Sequence, residues 1–285
     1  MQQAEWADLT AAHQARVDQW IQPHLARRRA HQKHPVHDFL FTYYSHSPSA
    51  LRRWHPGFGV GLVDAASYSE VKGYVVRNGV ARVSAEYVEA QRPLIESINA
   101  LLIATASRAP SFGCLGLHEW AMVYQADETR HPVPLRLGAA GTDAVVETHT
   151  IKCSHFDAFR FFTPPAVPLN VLTPGRDDRV AFEQPGCLHA NMDLYKHAFR
   201  LSPMIPSSLV ADCFDLAWRI RDLDMQASPY ELTDFGYAPI CIETPEGKVA
   251  YANAQRGFAG EGAVLRSRLI EECGRLAGEV SPGTR

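Results

Sequence analysis

Three of the common nucleotide and nucleophile signatures are missing from the 285 residues: no GxGxxG, no Walker loop and no GxSxG occurs. Dinucleotide-fold, P-loop and α/β-hydrolase chemistry have no anchor here. His118-Glu119 is not followed by a second histidine at position 122, which excludes the HExxH zinc motif. The six cysteines, at 114, 153, 187, 213, 241 and 273, include no CxxC pair. That excludes a zinc knuckle and gives no sign of a disulfide framework. They sit in apolar or helical stretches and read as reduced core thiols. The longest apolar runs, such as residues 100–106, are far too short to span a bilayer. No charged-then-apolar leader pattern opens the chain. A cytoplasmic protein without membrane contact is therefore expected. Basic charge is also scarce: 28 Lys and Arg stand against 31 Asp and Glu, a net charge of −3. A duplex-DNA binder needs a basic face. The one basic run, Arg27-Arg28-Arg29, lies in an early helix and reads as a solvated face.

What the chain does contain is ordinary apolar content and an excess of histidine. Forty-six per cent of residues are hydrophobic and 21% charged, enough for a large core. No linker or repeat interrupts it, so a single domain over residues 1–285 is expected. Residues 1–33 read as an N-terminal helix, with Trp6, Leu9, Val17, Trp20, Ile21 and Leu25 at roughly helical spacing. Ser47-Pro48 is a cap and first-turn signal. The string VVRNGVARV, with Asn78-Gly79 between β-branched residues, predicts a hairpin. Further helices are expected after Pro93, around residues 117–125, over residues 187–202, from Pro206 to Leu223, and from Lys248 to Ala277. A short strand is expected over residues 239–242. Residues 163–186 carry five prolines and read as an ordered loop or lid. Residues 144–162 fit either a strand and a helix or one helix. The fold class expected is mainly α: one helical domain with a small hairpin or short strands.

Thirteen histidines in 285 residues point to a site, because imidazole ligates metals and titrates near neutrality. His189, Asp193 and His197 are four apart and line one side of a helix, next to the stripe of Leu188, Met192, Tyr195 and Phe199. His197, flanked by Lys196 and Arg200, reads as peripheral. His149, Lys152, His155, Asp157 and Arg160 are set among Phe156, Phe159, Phe161 and Phe162. Polar groups among aromatics are costly unless paired or used, and such a wall also describes a ligand pocket. Glu119, between His118 and Trp120 in an apolar stretch, fits a general acid or base, or equally an ion pair with a core arginine. Asp212 and Asp215 read as a solvated helix face. Asp222 and Asp224 read as lying where that helix gives way to a loop. Tyr43 and Tyr44 offer rings for a planar ligand.

The strings HPVHDFLFTYYSHSPSALRRWHPGFG, FGCLGLHEWAMVY, LGAAGTDAVVETH, CSHFDAFRFFTP, PGCLHANMDLYKHAFRLSP and DLDMQASPYEL resemble bacterial proteins labelled 3-methyladenine DNA glycosylase, over about residues 5 to 270. The resemblance implies cleavage of an N-glycosidic bond in a modified base, nucleoside or nucleotide. It brings no set of catalytic residues. The chain departs from the established glycosylase pattern in having no helix-hairpin-helix followed by a Gly/Pro-rich segment and an aspartate. On this reading Glu119, Asp157 and Asp193 supply carboxylates to activate water or stabilise an oxocarbenium-like centre, and His155 and His189 carry protons. Tyr43, Tyr44, Trp120, Lys152, Arg160 and Tyr195 would bind the substrate, and no cofactor is needed. A different expectation rests on the same histidines. His149, His155, His189 and Asp193 would hold iron, manganese or zinc in a metal-dependent enzyme, with oxygen chemistry on iron as one form of it. DNA as a partner has no support in the charge, and the oligomeric state is not legible.

Overall fold

The computed structural model describes residues 1–129 and 131–279; Arg130 and residues 280–285 of the expected domain lie outside the described residues. The fold is mainly α, with one small antiparallel sheet. The N-terminal helix α1 (Gln3–Arg29) turns Val17, Trp20 and Ile21 inward. Two short helices follow, α2 (Asp38–Tyr43) and α3 (Pro48–Arg52). Ser47 caps α3 as its sequence predicts, its hydroxyl accepting from Ala50 N at 3.2 Å with Pro48 in the first turn.

The hairpin also forms where Asn78-Gly79 predicts it. Strands β1 (Leu62–Val63), β2 (Tyr74–Arg77) and β3 (Val80–Val83) make a sheet in the order β1-β3-β2. Asn78 (φ 52°) and Gly79 (φ 75°) are both left-handed, the conformation a two-residue I′ turn needs. Pairing Val75 with Arg82 and Val76 with Ala81 puts Ala81 and Val83 on the buried face.

Then come α4 (Ala85–Ala90), α5 (Arg92–Ala106, with proline in its first turn), the five-residue α6 (Leu117–Ala121) and α7 (Gly138–Thr148). The stretch 144–162, which fitted either a strand and a helix or one helix, is the end of α7, an extended link through Ile151, and the one-turn helix α8 (Phe156–Phe159). The proline-rich segment is ordered by Asn170, whose side chain bonds Cys153 N and O and Leu172 O. It also holds the short helix α9 (Arg179–Phe182).

Three long helices complete the chain: α10 (Leu188–Leu201), α11 (Ser207–Gln226) and α12 (Pro245–Glu279). They pack on one another, and α5 lies against α12. Helices α10 and α11 are buried on most sides, so their polar residues face protein. The strand expected at 239–242 is absent: Ile240 N bonds Gln226 O, and the segment lies under the first turn of α12, where Gly247 meets the carbonyl of Cys241. Helix α11 runs three residues past Leu223, so Asp222 and Asp224 are helical rather than in a loop. No helix among the described residues is long and apolar enough to cross a membrane.

Candidate metal centre

Histidine 118 is placed by a strained turn. Leu115 (φ 50°) and Gly116 (φ 74°) are consecutive left-handed residues just before α6. A side chain at 116 would crowd the Tyr251 ring at 3.3 Å and the Ala227 methyl at 3.4 Å. The turn is therefore pressed against α12 and the end of α11. Trp120 Nε1 donates to Ala227 O at 2.8 Å and anchors α6 on that side. His118 then points to Asp224 on α11 and His189 on α10.

These three residues bring one ligand atom each to within 4.8 Å of one another, and all three are buried. His118 Nε2 lies 2.9 Å from Asp224 Oδ1. The two form a close ion pair, with side chains almost entirely shielded from solvent. Burial works against a charge on His118, but the Asp224 carboxylate and the Cys114 sulfur outweigh it and hold its pKa well above the usual histidine value. Burial and the neighbouring His118 push His189 the other way, to about 3. Asp224 is ionised: His118, His189 and Arg221 overcome its burial and hold its pKa below the usual carboxylate range.

The surrounding contacts tie the cluster down. Cys114 Sγ is 3.4 Å from His118 Nδ1. Arg221 Nη1 donates to Glu119 at 2.9 Å and to Asp224 Oδ2 at 3.4 Å. Its guanidinium lies 4.2 Å from the centre of the Phe39 ring. A cavity with about 10 Å³ for the centre of a water molecule adjoins His118 and His189; it has room for one water or one small ion. Phe39 also lines a cleft of about 910 Å³ between the end of α1, α2 and Phe235.

Helix α10 separates the residues that its spacing groups together. His189 joins His118 and Asp224. Asp193, one turn on, enters a second buried network. His155 Nε2 is 3.3 Å from Asp193 Oδ2 and 3.6 Å from Glu183 Oε1. Arg179 donates to both carboxylates, Lys196 lies 3.4 Å from Asp193, and Tyr44 donates to Asp193 at 3.0 Å. Burial would raise Asp193, but His155, Lys196 and Arg179 hold it well below the usual carboxylate range. The His155 and His189 rings, 5.4 Å apart, join the two networks. His197 is buried, not peripheral, because α10 is covered there as well.

The other expected residues divide. Asp157 binds Lys196 at 3.0 Å and Arg160 at 3.1 Å, and the Arg160 guanidinium covers Phe161. Lys152 is exposed at the wall of the small cavity. Tyr43 stacks on Phe39, and Tyr195 packs edge-on to Tyr44. Trp120 is fully buried and offers no ring face to a ligand. Glu119 makes the ion pair with a core arginine. His149 Nδ1 donates to Val145 O at 2.7 Å, closing the end of α7, and lies outside the cluster. Three residues carry more of the site than their sequence context signals: His118, Asp224 and Cys114. The four-residue spacing of Cys114 and His118 was the available sign.

Comparison with family models, with curated proteins and with solved structures finds no match to this chain. No relative assigns a role to any of these residues.

Proposed function

We propose that the protein is a metal-dependent enzyme whose divalent ion, iron, manganese or zinc, is held by His118, His189 and Asp224. One observation carries the reading: His118, His189 and Asp224, all buried, each bring a ligand atom to within 4.8 Å of one another. A buried carboxylate such as Asp224 needs a positive partner, which the proton on His118 supplies when no ion is bound. A divalent cation shared with His189 would take that part and displace the His118 proton. Two imidazoles and one carboxylate suit these metals and leave positions open for a reactant. The water-sized cavity beside both histidines gives such a reactant room. Bound there, the ion would act as a Lewis acid on water or as a site for dioxygen. Cys114 on His118 Nδ1 and Arg221 on Asp224 Oδ2 hold these two ligands in orientation.

Metal analysis of untagged protein tests this. Close to one equivalent is expected, with loss in both H189A and D224N. Protein that stays metal-free after anaerobic reconstitution with iron(II), manganese(II) and zinc(II) overturns it.

The second reading is the carboxylate-based N-glycosidase, which the buried His155–Asp193 pair supports as a proton carrier beside an ionised acid. It requires release of base from nucleosides or DNA by metal-free protein, abolished in D193N. Base release that instead needs the ion and fails in D224N joins the substrate of the second reading to the chemistry of the first.

A further inference from the structure

Three of the six cysteines converge on one place. Cys114, Cys153 and Cys187 come from the turn before α6, the link before α8 and the residue before α10, yet all line the water-sized cavity. Their spacing of 39 and 34 positions conceals this. Cys114 and Cys153 line the same small space, their side chains within hydrogen-bonding range of each other. Cys153 Sγ is also oriented by His155 O at 3.6 Å. Cys187 faces the same space without such a contact to Cys114. The cavity is bounded by Lys152, Ser154, Gln184 and Gln255, and Gln255 Oε1 is buried without a partner. A half-buried thiol beside a buried one, at a space for one water, is a setting for a small oxidant.

We propose that Cys114 and Cys153 form a redox-active dithiol that hydrogen peroxide, admitted by this cavity, converts to a disulfide. The balance is simple. The Cys114 sulfur attacks one peroxide oxygen, the O–O bond breaks, and sulfenic acid and one water form. The Cys153 sulfur then displaces the hydroxyl as a second water, and the S–S bond closes. Two thiols are oxidised and one peroxide is reduced. Cys153 is the resolving partner because it is already within hydrogen-bonding range of Cys114, whereas Cys187 is not. This inference does not depend on a bound metal, and its readout is covalent.

The test is peptide mapping under non-reducing conditions after brief exposure of the full chain to hydrogen peroxide. The expected product links the Cys114 and Cys153 peptides, with an intact mass lower by two hydrogens and reversal by dithiothreitol. In the folded protein N-ethylmaleimide leaves the buried Cys153 unmodified over the same interval. C153S is expected to trap Cys114 as a sulfenic acid that dimedone captures, and C187S to give the wild-type link. Absence of the Cys114–Cys153 link in wild-type protein overturns the proposal. So does a Cys114–Cys187 link as the main product, or maleimide labelling of Cys153 as complete as its oxidation. The wild-type map suffices even if a serine variant fails to fold.

Discussion

Arg221 shows how much one side chain holds at the site. It is fully buried, and its Nη1 serves both Glu119 and Asp224 while its face lies on Phe39. Removing one partner of a buried pair leaves the other charge in a low-dielectric interior. Arg221→Met is therefore expected to cost about 3–5 kcal/mol of unfolding free energy, read from urea midpoints at constant slope. Glu119→Gln keeps a hydrogen-bonding shape and leaves Asp224 on the arginine. Its expected cost is smaller, about 1–3 kcal/mol. If both variants matched wild type, the ion-pair account of Glu119 would fail. Equal losses would mean that Asp224 contributes nothing to holding Arg221.

Helices and turns set where those side chains meet. The two left-handed turns differ in what surrounds them, although each contains a glycine with φ near 75°. Gly79 has open space around it, so Gly79→Ala meets only the backbone penalty, about 1–2 kcal/mol. Gly116→Ala adds crowding against Tyr251 and Ala227, and overpacking typically costs a further ~1–3 kcal/mol. The thermal midpoint of Gly116→Ala is expected to fall further than that of Gly79→Ala. Its metal content should fall too, because the turn carries His118. Equal midpoints would show that α12 yields to a side chain at 116. The hairpin and the α3 cap were readable in the sequence because their signals are local, a turn dipeptide and a cap residue. The strand expected at 239–242 failed because no strand lies beside it: Ile240 N bonds Gln226 O at the end of α11, and only Ile242 is buried. His197 was misread for a similar reason: Lys196 and Arg200 mark a surface only if no other element covers it.

Across the chain as a whole, buried neutral histidines make stability depend on pH. Burial lowers His55 to about 3, His197 to about 3 and His46 to about 4. Unfolded histidine titrates near 6.5. Between those values the unfolded chain binds more protons than the folded one, so stability rises with pH. The contribution is fully present above about pH 6.5 and is lost as pH falls toward 4 and then 3. Each such group adds a slope of up to about 1.4 kcal/mol per pH unit in that window. Chemical denaturation at pH 7, 6, 5 and 4 is expected to show a steady fall, made shallower by His55→Gln. An unchanged slope in that variant would show that His55 is hydrated when folded. Asp193, held low by His155, Lys196 and Arg179, extends the loss below pH 4.

Composition and periodicity were enough to establish a helical protein with one hairpin, several helix starts and a histidine-rich interior. Those features depend on neighbours within a few positions, which the chain states directly. The same reading placed His189 and Asp193 on one face, named His155 and Glu119 as buried polar candidates, and took Tyr44 for a ring that stacks on a ligand. Which of them meet was settled by packing. His189 and Asp193 are four apart on α10 and serve different networks, because α6 and α11 deliver His118 and Asp224 to one and α8 and α9 deliver His155 and Arg179 to the other. Asp224 gained its place from three further residues of α11, and Cys114 met Cys153 across 39 positions. Contacts between residues so far apart have no trace in local pattern, since they arise only when whole helices bury their faces against one another.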